Sequence, residues 1–268
     1  MTDNRPGEPA DNHVHSEWSW DAHAGDMDRA CARAVELGLP SIAFTEHADW
    51  VRGDAAVFDA AGYFECLERC GAAYPGLRIL SGVEMGEPHR YPEQARALLA
   101  AGFDRVLASV HCIEWQGRTA DAAEPGFLEP SAVAEMFSSY LREVLSLIEG
   151  DMPFDVLAHL DYPKRYWPGD PAYDESLFEG QFREILRAAA RRGVAVEVNT
   201  TRGREPVRYL CPGPIVLGWW REEGGHAVCF GSDAHTPEHV AAGFALAQEI
   251  AAAAGFTAGN DPLAFWTR

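Results

Sequence analysis

The chain has 268 residues, enough for one large α/β barrel with a proper core, and 47% of them are apolar, which excludes a disordered polymer. Its 41 acidic residues against 22 basic ones give a formal net charge of −19, with no Lys- or Arg-rich run. This argues against a nucleic-acid groove or an anionic membrane surface as partner, but permits a phosphate held by metal ions, whose local charge outweighs distant carboxylates.

Residues 1–10 read as a loose polar tail without the apolar core of a secretory signal, and no run approaches the ~20 apolar residues of a membrane helix. Six cysteines show no C-x-x-C or zinc-ribbon spacing and read as small buried hydrophobes. A cytoplasmic, reduced chain is expected. A short first strand carries His13 and His15, which alternation places on the same side, and Asp21 follows past a turn. Asp26 to Leu37 then reads as a helix with the apolar stripe Met27, Ala30, Cys31, Ala34, Val35 and Leu37, closed by Gly38 and stopped by Pro40. Ser41 to Thr45 is a buried strand running into Glu46 and His47.

The same grammar repeats. A helix over Ala60 to Tyr74 precedes a strand over Leu77 to Val83 that ends at Glu84. A helix over Tyr91 to Ala101 precedes a strand over Arg105 to Val110 that ends at His111. A long loop, about Glu114 to Pro130, has the length of a functional lid, and Ser131 caps a helix to about Glu149. The strand Phe154 to Ala158 ends at His159. A helix over Leu177 to Arg192 and a strand over Val194 to Thr200, with Glu197 and Asn199, follow. An irregular stretch, Thr201 to Pro212, carries Arg202, Arg204 and Arg208. Finally, a helix over Pro214 to Glu223 leads to the strand Ala227 to Phe230, then Asp233 and His235, and a last helix spans Pro237 to Ala254. Seven strand–helix units in strict alternation imply a parallel sheet with right-handed crossovers, closed into a barrel, as one domain over residues 11–268.

All strands of such a barrel point the same way, so residues at their C-terminal ends converge on one cavity. Six of the ten histidines fall there. A single strand-end histidine is more often a hydrogen-bonded structural residue than a ligand, but that explanation must be invoked afresh at every strand. The nine candidates His13, His15, Asp21, His47, Glu84, His111, His159, Asp233 and His235 are the ligand types of zinc, manganese and iron, and are too many for one open catalytic ion. They suit two or three ions with a bridging carboxylate, a cluster that makes hydroxide available near neutral pH and neutralises phosphate oxygens. Helix capping also explains Asp21. His23, His89, His226 and His239 read as surface or loop residues, and Trp18, Trp20 and Trp115 flank ligand positions as candidate pocket walls.

The ordered segments His-Val-His15-Ser, Phe-Thr-Glu-His47, Gly-Val-Glu84, Ser-Val-His111, Ala-His159-Leu-Asp, Glu197-Val-Asn-Thr and Gly-Ser-Asp233-Ala-His235 resemble the motifs of the polymerase-and-histidinol-phosphatase (PHP) superfamily, its histidinol-phosphatase branch above all. The resemblance implies a distorted (β/α)7 barrel with a trinuclear metal site for zinc, manganese or iron and hydrolysis of a phosphate monoester, L-histidinol phosphate first among candidates, in histidine biosynthesis. By motif, His13, His15, Glu84 and Asp233 would surround one ion, Glu84, His111 and His159 a second, and Asp21, His47 and His235 a third. Many relatives carry histidine where this chain has Asp21. The expected mechanism is in-line attack on phosphorus by a metal-activated hydroxide, with Glu84, Asp233 and His235 as catalytic residues. Arg165 and Arg202, just beyond ligand-bearing strands, are candidate clamps for phosphate oxygens. Glu17, Glu46 and Asp161 are candidate partners for a substrate amine.

Other readings share these features. The same fold can act on a sugar, nucleotide or other small phosphate, since substrate choice lives in loops. An amidohydrolase also uses His-x-His and a late Asp, but its binuclear form commonly needs a carboxylated lysine, and Lys164 is the only lysine in the chain. A metal-binding domain without catalysis is the remaining alternative.

Overall fold

The apolar runs that end in histidine or carboxylate are strands, and they all run the same way. In a computed structural model, which describes residues 9–124, 132–169, 172–204 and 210–268, the chain order is β1 (Asp11–Val14), α1 (Met27–Leu37), β2 (Ser41–Ala48), α2 (Ala60–Ala73), β3 (Arg78–Gly86), α3 (Pro92–Leu99) and β4 (Arg105–Ser109). A hairpin of β5 (Cys112–Trp115) and β6 (Arg118–Asp121) follows, then α4 (Val133–Glu149), β7 (Val156–Leu157), α5 (Glu179–Arg192), β8 (Ala195–Asn199), α6 (Pro214–Glu222), β9 (Ala227–Gly231), α7 (Phe244–Ala253) and β10 (Trp266–Thr267).

Seven strands pair in parallel in the order β1-β2-β3-β4-β7-β8-β9. The ring closes where the chain leaving β9 meets the end of β1: Asp233 N–H donates to His13 O and His15 N–H to Ala234 O, both at 2.8 Å. The buried Asp11 carboxylate staples this seam, accepting from Ser232 Oγ at 2.6 Å and from the amides of Ser232 and Ala241. At the other end of the seam β10 pairs antiparallel with Ala227 and Val228, so β1 and β10 share one edge of β9. That shared edge distorts the expected (β/α)7 barrel.

Local sequence explains the elements. Asp26 caps α1 by accepting from the Arg29 amide at 2.9 Å, and Gly38 ends it in the left-handed conformation at φ 71°. Met27, Ala30, Cys31 and Ala34 are buried, whereas Val35 from the expected stripe is half exposed. Its position on the helix turns it to solvent. Helices α1 to α3 cover one side of the ring and α4 to α7 the other, each over its own apolar cluster. Between the strands lie small side chains, among them Ala158, Ala195, Ala227 and Cys229. Fully buried residues such as Phe137 and Leu141 contribute about 1.5–3 kcal/mol each through burial. All six cysteines are buried, and none is in a disulfide.

Three expectations need correction. The loop after His111 begins with the β5–β6 hairpin, turned at Gln116 (φ 51°) and Gly117 (φ 79°), the paired positive φ of a two-residue hairpin turn. The last helix starts at Phe244, because Pro237 to His239 form only a 3-10 turn and Gly243 adopts φ 82°. The fifth parallel strand is two residues long, although Asp155 and Ala158 continue its pairing with β4. The helix cap expected at Ser131, the remainder of the expected lid from 125 to 130, Arg208, and the tail up to residue 8 lie outside the described residues.

Candidate metal centre

Every strand-end residue singled out in the sequence arrives at one cavity. Its wall includes Asp21, His47, Glu84, His111, His159, Asp233 and His235, while His13 and His15 form the buried floor beneath. Glu84 is the hub. Its Oε1 lies 2.7 Å from His159 Nε2 and 3.2 Å from His111 Nε2. Its Oε2 lies 3.1 Å from His13 Nε2, 3.2 Å from His47 Nδ1 and 3.4 Å from His15 Nε2. Asp21 joins from the loop after β1, with Oδ2 2.9 Å from His235 Nε2 and Oδ1 3.5 Å from His47 Nε2. Asp233, in the left-handed region at φ 55°, brings Oδ1 to 3.6 Å from His15 Nε2. Such strain persists where surrounding contacts hold it, a common feature of functional sites.

The outer hydrogen bonds fix which ring nitrogens carry protons. His13 Nδ1–H donates to Glu197 Oε1 at 2.6 Å, His111 Nδ1–H to Asp49 Oδ1 at 3.0 Å and His235 Nδ1–H to the Asp233 carbonyl at 3.0 Å. Ser19 Oγ donates to Glu46 and therefore accepts from His15 Nδ1–H at 2.9 Å. All four imidazoles thus turn Nε2 inward, the arrangement in which an outer partner sets the tautomer of a metal ligand. These nitrogens face each other and face carboxylate oxygens; His13 Nε2 and His15 Nε2 stand only 3.0 Å apart. Groups this close need a proton or a metal ion between them. Among the described residues His47 Nδ1 and Asp21 Oδ1 are buried without hydrogen-bond partners, as open ligand atoms would be. The donor set therefore fits divalent metal ions. Among the described residues four triads bring ligand atoms within reach of one ion: His15, His47 and His235; His13, Glu84 and His159; His13, His15 and Asp233; and His47, Glu84 and His111.

The carboxylates draw positive charge into the centre: against burial, Glu197 and Glu84 raise His13 well above the usual imidazole range, and Asp49 and Glu84 do the same for His111. Burial, with His47 and His235 nearby, holds His15 well below the usual imidazole range, so it is neutral as a ligand must be. Burial opposes the charge on Glu84, but His13, His111, His47 and His159 outweigh it and hold the carboxyl well below its usual range. Asp233 is likewise held low against burial, first by Arg165.

Both predicted arginines reach the pocket. Arg165, buried, donates from Nη1 to Asp233 Oδ2 at 2.9 Å and from Nη2 to Asn199 Oδ1 at 2.7 Å. Arg202, at φ 60° and ψ 30°, donates from Nε to the Asp233 carbonyl at 3.0 Å. The candidate amine partners do not: Glu17 accepts from the Met27 amide, Glu46 holds Ser16 and Ser19, and Asp161 pairs with Lys164. Lys164 also donates to the Leu210 carbonyl, so it is not a bridging ligand and the amidohydrolase reading loses its lysine. Of the three tryptophans, Trp20 lines the cavity and Trp18 and Trp115 do not.

Sequence reasoning missed Asp49. Buried one residue beyond β2, it accepts from His111 Nδ1–H and from Trp20 Nε1–H, the latter at 3.0 Å. Its signal is faint: an Asp two residues after a strand-end His. The glycines beside these outer carboxylates are equally informative, because a Cβ at Gly86 would overlap Asp49 Oδ1 and one at Gly231 would overlap Glu197 Oε1.

The model of the PHP domain matches residues 11–201. The chain belongs to the PHP domain family. Among relatives of this PHP chain, a probable histidinol-phosphatase of Clostridium acetobutylicum is 29% identical over 250 residues, covering 90% of this chain and 92% of that protein. Another from Thermotoga maritima is 26% identical, covering 87% of each. Among solved structures, the histidinol phosphate phosphatase of Lactococcus lactis, complexed with zinc, L-histidinol and phosphate, matches with a TM-score of 0.83 at 25% identity, over 96% of this chain and 98% of that one.

Proposed function

We propose that this PHP protein hydrolyses L-histidinol phosphate to L-histidinol and phosphate, as a single catalytic domain over residues 11–268. One observation carries the reading: inward-facing imidazole nitrogens surround Glu84 in a pocket that a buried arginine, Arg165, also lines. The named activity of relatives that cover nine tenths of the chain supports the substrate.

Three ions are the number we assign. His13, His15, Glu84 and Asp233 would hold one, Glu84, His111 and His159 a second, and Asp21, His47 and His235 a third; zinc, manganese and iron all suit these donors. When bound, the ions neutralise phosphate oxygens and lower the pKa of the attacking water. Arg165 and Arg202 bind non-bridging phosphate oxygens. Asp233 and Asn199 hold the Arg165 guanidinium by its two terminal nitrogens, which fixes its charge at the pocket wall. Aromatic rings of Trp20 and Tyr162 in the wall limit water around the alcohol.

The test is phosphate release by protein loaded with manganese or zinc. L-Histidinol phosphate should exceed sugar phosphates, nucleotides and phosphodiesters by about 100-fold in kcat/KM, the discrimination that a site built to bind a polar substrate group reaches and surpasses. A different ester in first place would leave the metal chemistry intact and remove the assigned substrate.

A further inference from the structure

We propose that Asp121 is the specificity-determining residue for the alcohol part of the substrate: it receives a protonated amine, and Arg52 occupies it until that amine arrives. The inference rests on the phosphomonoesterase reading and extends it to a substrate class, phosphate esters of amino alcohols.

Elimination within the pocket singles out Asp121. Among the described residues five carboxylates line it: Asp21, Asp49, Glu84, Asp121 and Asp233. Asp21, Glu84 and Asp233 face the histidine cluster, and Asp49 is committed to His111 Nδ1–H and Trp20 Nε1–H. Only Asp121 lies outside that network. It ends β6, its Oδ1 accepting from the Ala123 amide at 2.7 Å, which anchors the side chain, and its Oδ2 takes a cation, the Arg52 guanidinium. That pair is reachable, since the two side chains keep 26% and 25% of their surface exposed. An exposed ion pair is weakly held, so a ligand cation can displace its cationic partner at little cost.

Position adds the second link. Tyr162 Oη lies 3.5 Å from Asp121 Oδ1, and the Arg165 guanidinium lies over the same ring, 5.3 Å from its centroid. The ring also lies 5.3 Å from His159 and 5.4 Å from His111, centroid to centroid. A single tyrosine therefore spans from the phosphate clamp and metal cluster to the carboxylate. Opposite charges at the two ends suit a short zwitterion, with phosphate at Arg165 and ammonium at Asp121. Arg52, released from Asp121, keeps the Trp20 ring, 4.9 Å from its centroid, as an alternative seat.

The test uses metal-loaded enzyme and two substrate pairs that differ by the amine alone: L-histidinol phosphate against its desamino analogue, imidazolylpropyl phosphate, and phosphoethanolamine against ethyl phosphate. The readout is the ratio of kcat/KM within each pair. Wild-type protein should prefer the amine, and Asp121→Asn should reduce that preference about 10- to 100-fold, as expected for the loss of one charge-assisted contact. Arg52→Gln, which removes the competing cation, should keep it. A wild-type enzyme without amine preference overturns the proposal, as does an Asp121→Asn variant whose ratio is intact or whose two rates fall in parallel. So does transfer of the whole effect to Arg52. If the second pair shows the Asp121-dependent preference while L-histidinol phosphate is a poor substrate, the assigned substrate fails and the amine site stands.

Discussion

At the scale of single residues, the site is governed by where protons sit on imidazoles. His13, His15, His111 and His235 each spend Nδ1–H on an outer acceptor, and it is those acceptors that aim Nε2 inward. Asp49 has the simplest role to test, because its carboxylate holds His111 while lying outside the set of candidate ligands. Asp49→Asn should keep the fold, lower metal affinity and kcat each by about 10- to 100-fold, and be read by metal content after dialysis alongside turnover. Unchanged metal content and turnover would rule out a positioning role. The candidate ligands were legible in the sequence because they stand at the ends of apolar runs, where alternation and strand direction say what they face. Asp49 was not, since a polar loop residue has no periodicity to place it, and the charge of Glu17, Glu46 and Asp161 said nothing of the serines, helix amide and lysine that claim them.

At the scale of elements, the parallel strands were legible because each is a short apolar run closed by a helix with its own stop signal, as Gly38 does for α1. The β5–β6 hairpin was not: Glu114, Arg118 and Thr119 are exposed, so its alternation is mostly polar and reads as loop. The start of α7 was hidden by Pro237, which opens a 3-10 turn as readily as a helix. Side-chain ties between elements are illegible from one sequence, and α4 has one with a pH signature. Glu143 on α4 accepts from Arg90 Nε and pairs with His89 Nε2, both at 2.6 Å, fastening the helix to the turn after β3. Burial raises the Glu143 carboxyl, but His89 and Arg90 outweigh it and lower it to about 2 from an ordinary 4.5. A depressed folded-state value means that the stabilisation is complete above about 4.5 and is lost as pH falls from there to about 2. The full shift corresponds to about 3 kcal/mol, reduced by solvent at a part-exposed site to about 1–2 kcal/mol. Glu143→Gln should lower Tm at pH 7 and leave the difference from wild type shrinking as pH drops below 4.5. A difference that stays constant down to pH 3 would mean that packing, not charge, sets the value of this tie.

For the whole molecule, the net charge of −19 and the acceptor cluster at the strand ends point to one dependence. The ring is closed at that same end, by the bonds between β1 and the chain leaving β9, and His13, His15, Asp233 and His235 all flank the closure. Stability of the seam and occupancy of the centre are therefore linked: cations between the imidazole nitrogens and carboxylates relieve repulsion where the barrel is joined. Binding that favours the folded state adds RT ln(1 + [M]/Kd), about 2.7 kcal/mol when free metal is 100 times its dissociation constant. For a chain of this size each kcal/mol moves Tm by about 2–4 °C. Exhaustive treatment with a chelator should thus abolish phosphatase activity and lower Tm by about 5–10 °C. Added manganese or zinc should restore both together. If activity returned on metal addition while Tm never moved, the centre would be catalytic but mechanically independent of the seam. Hydrogen exchange separates the two cases further, since linkage predicts that the amides of His15 and Asp233, which carry the closing bonds, lose protection first when the metal is withdrawn.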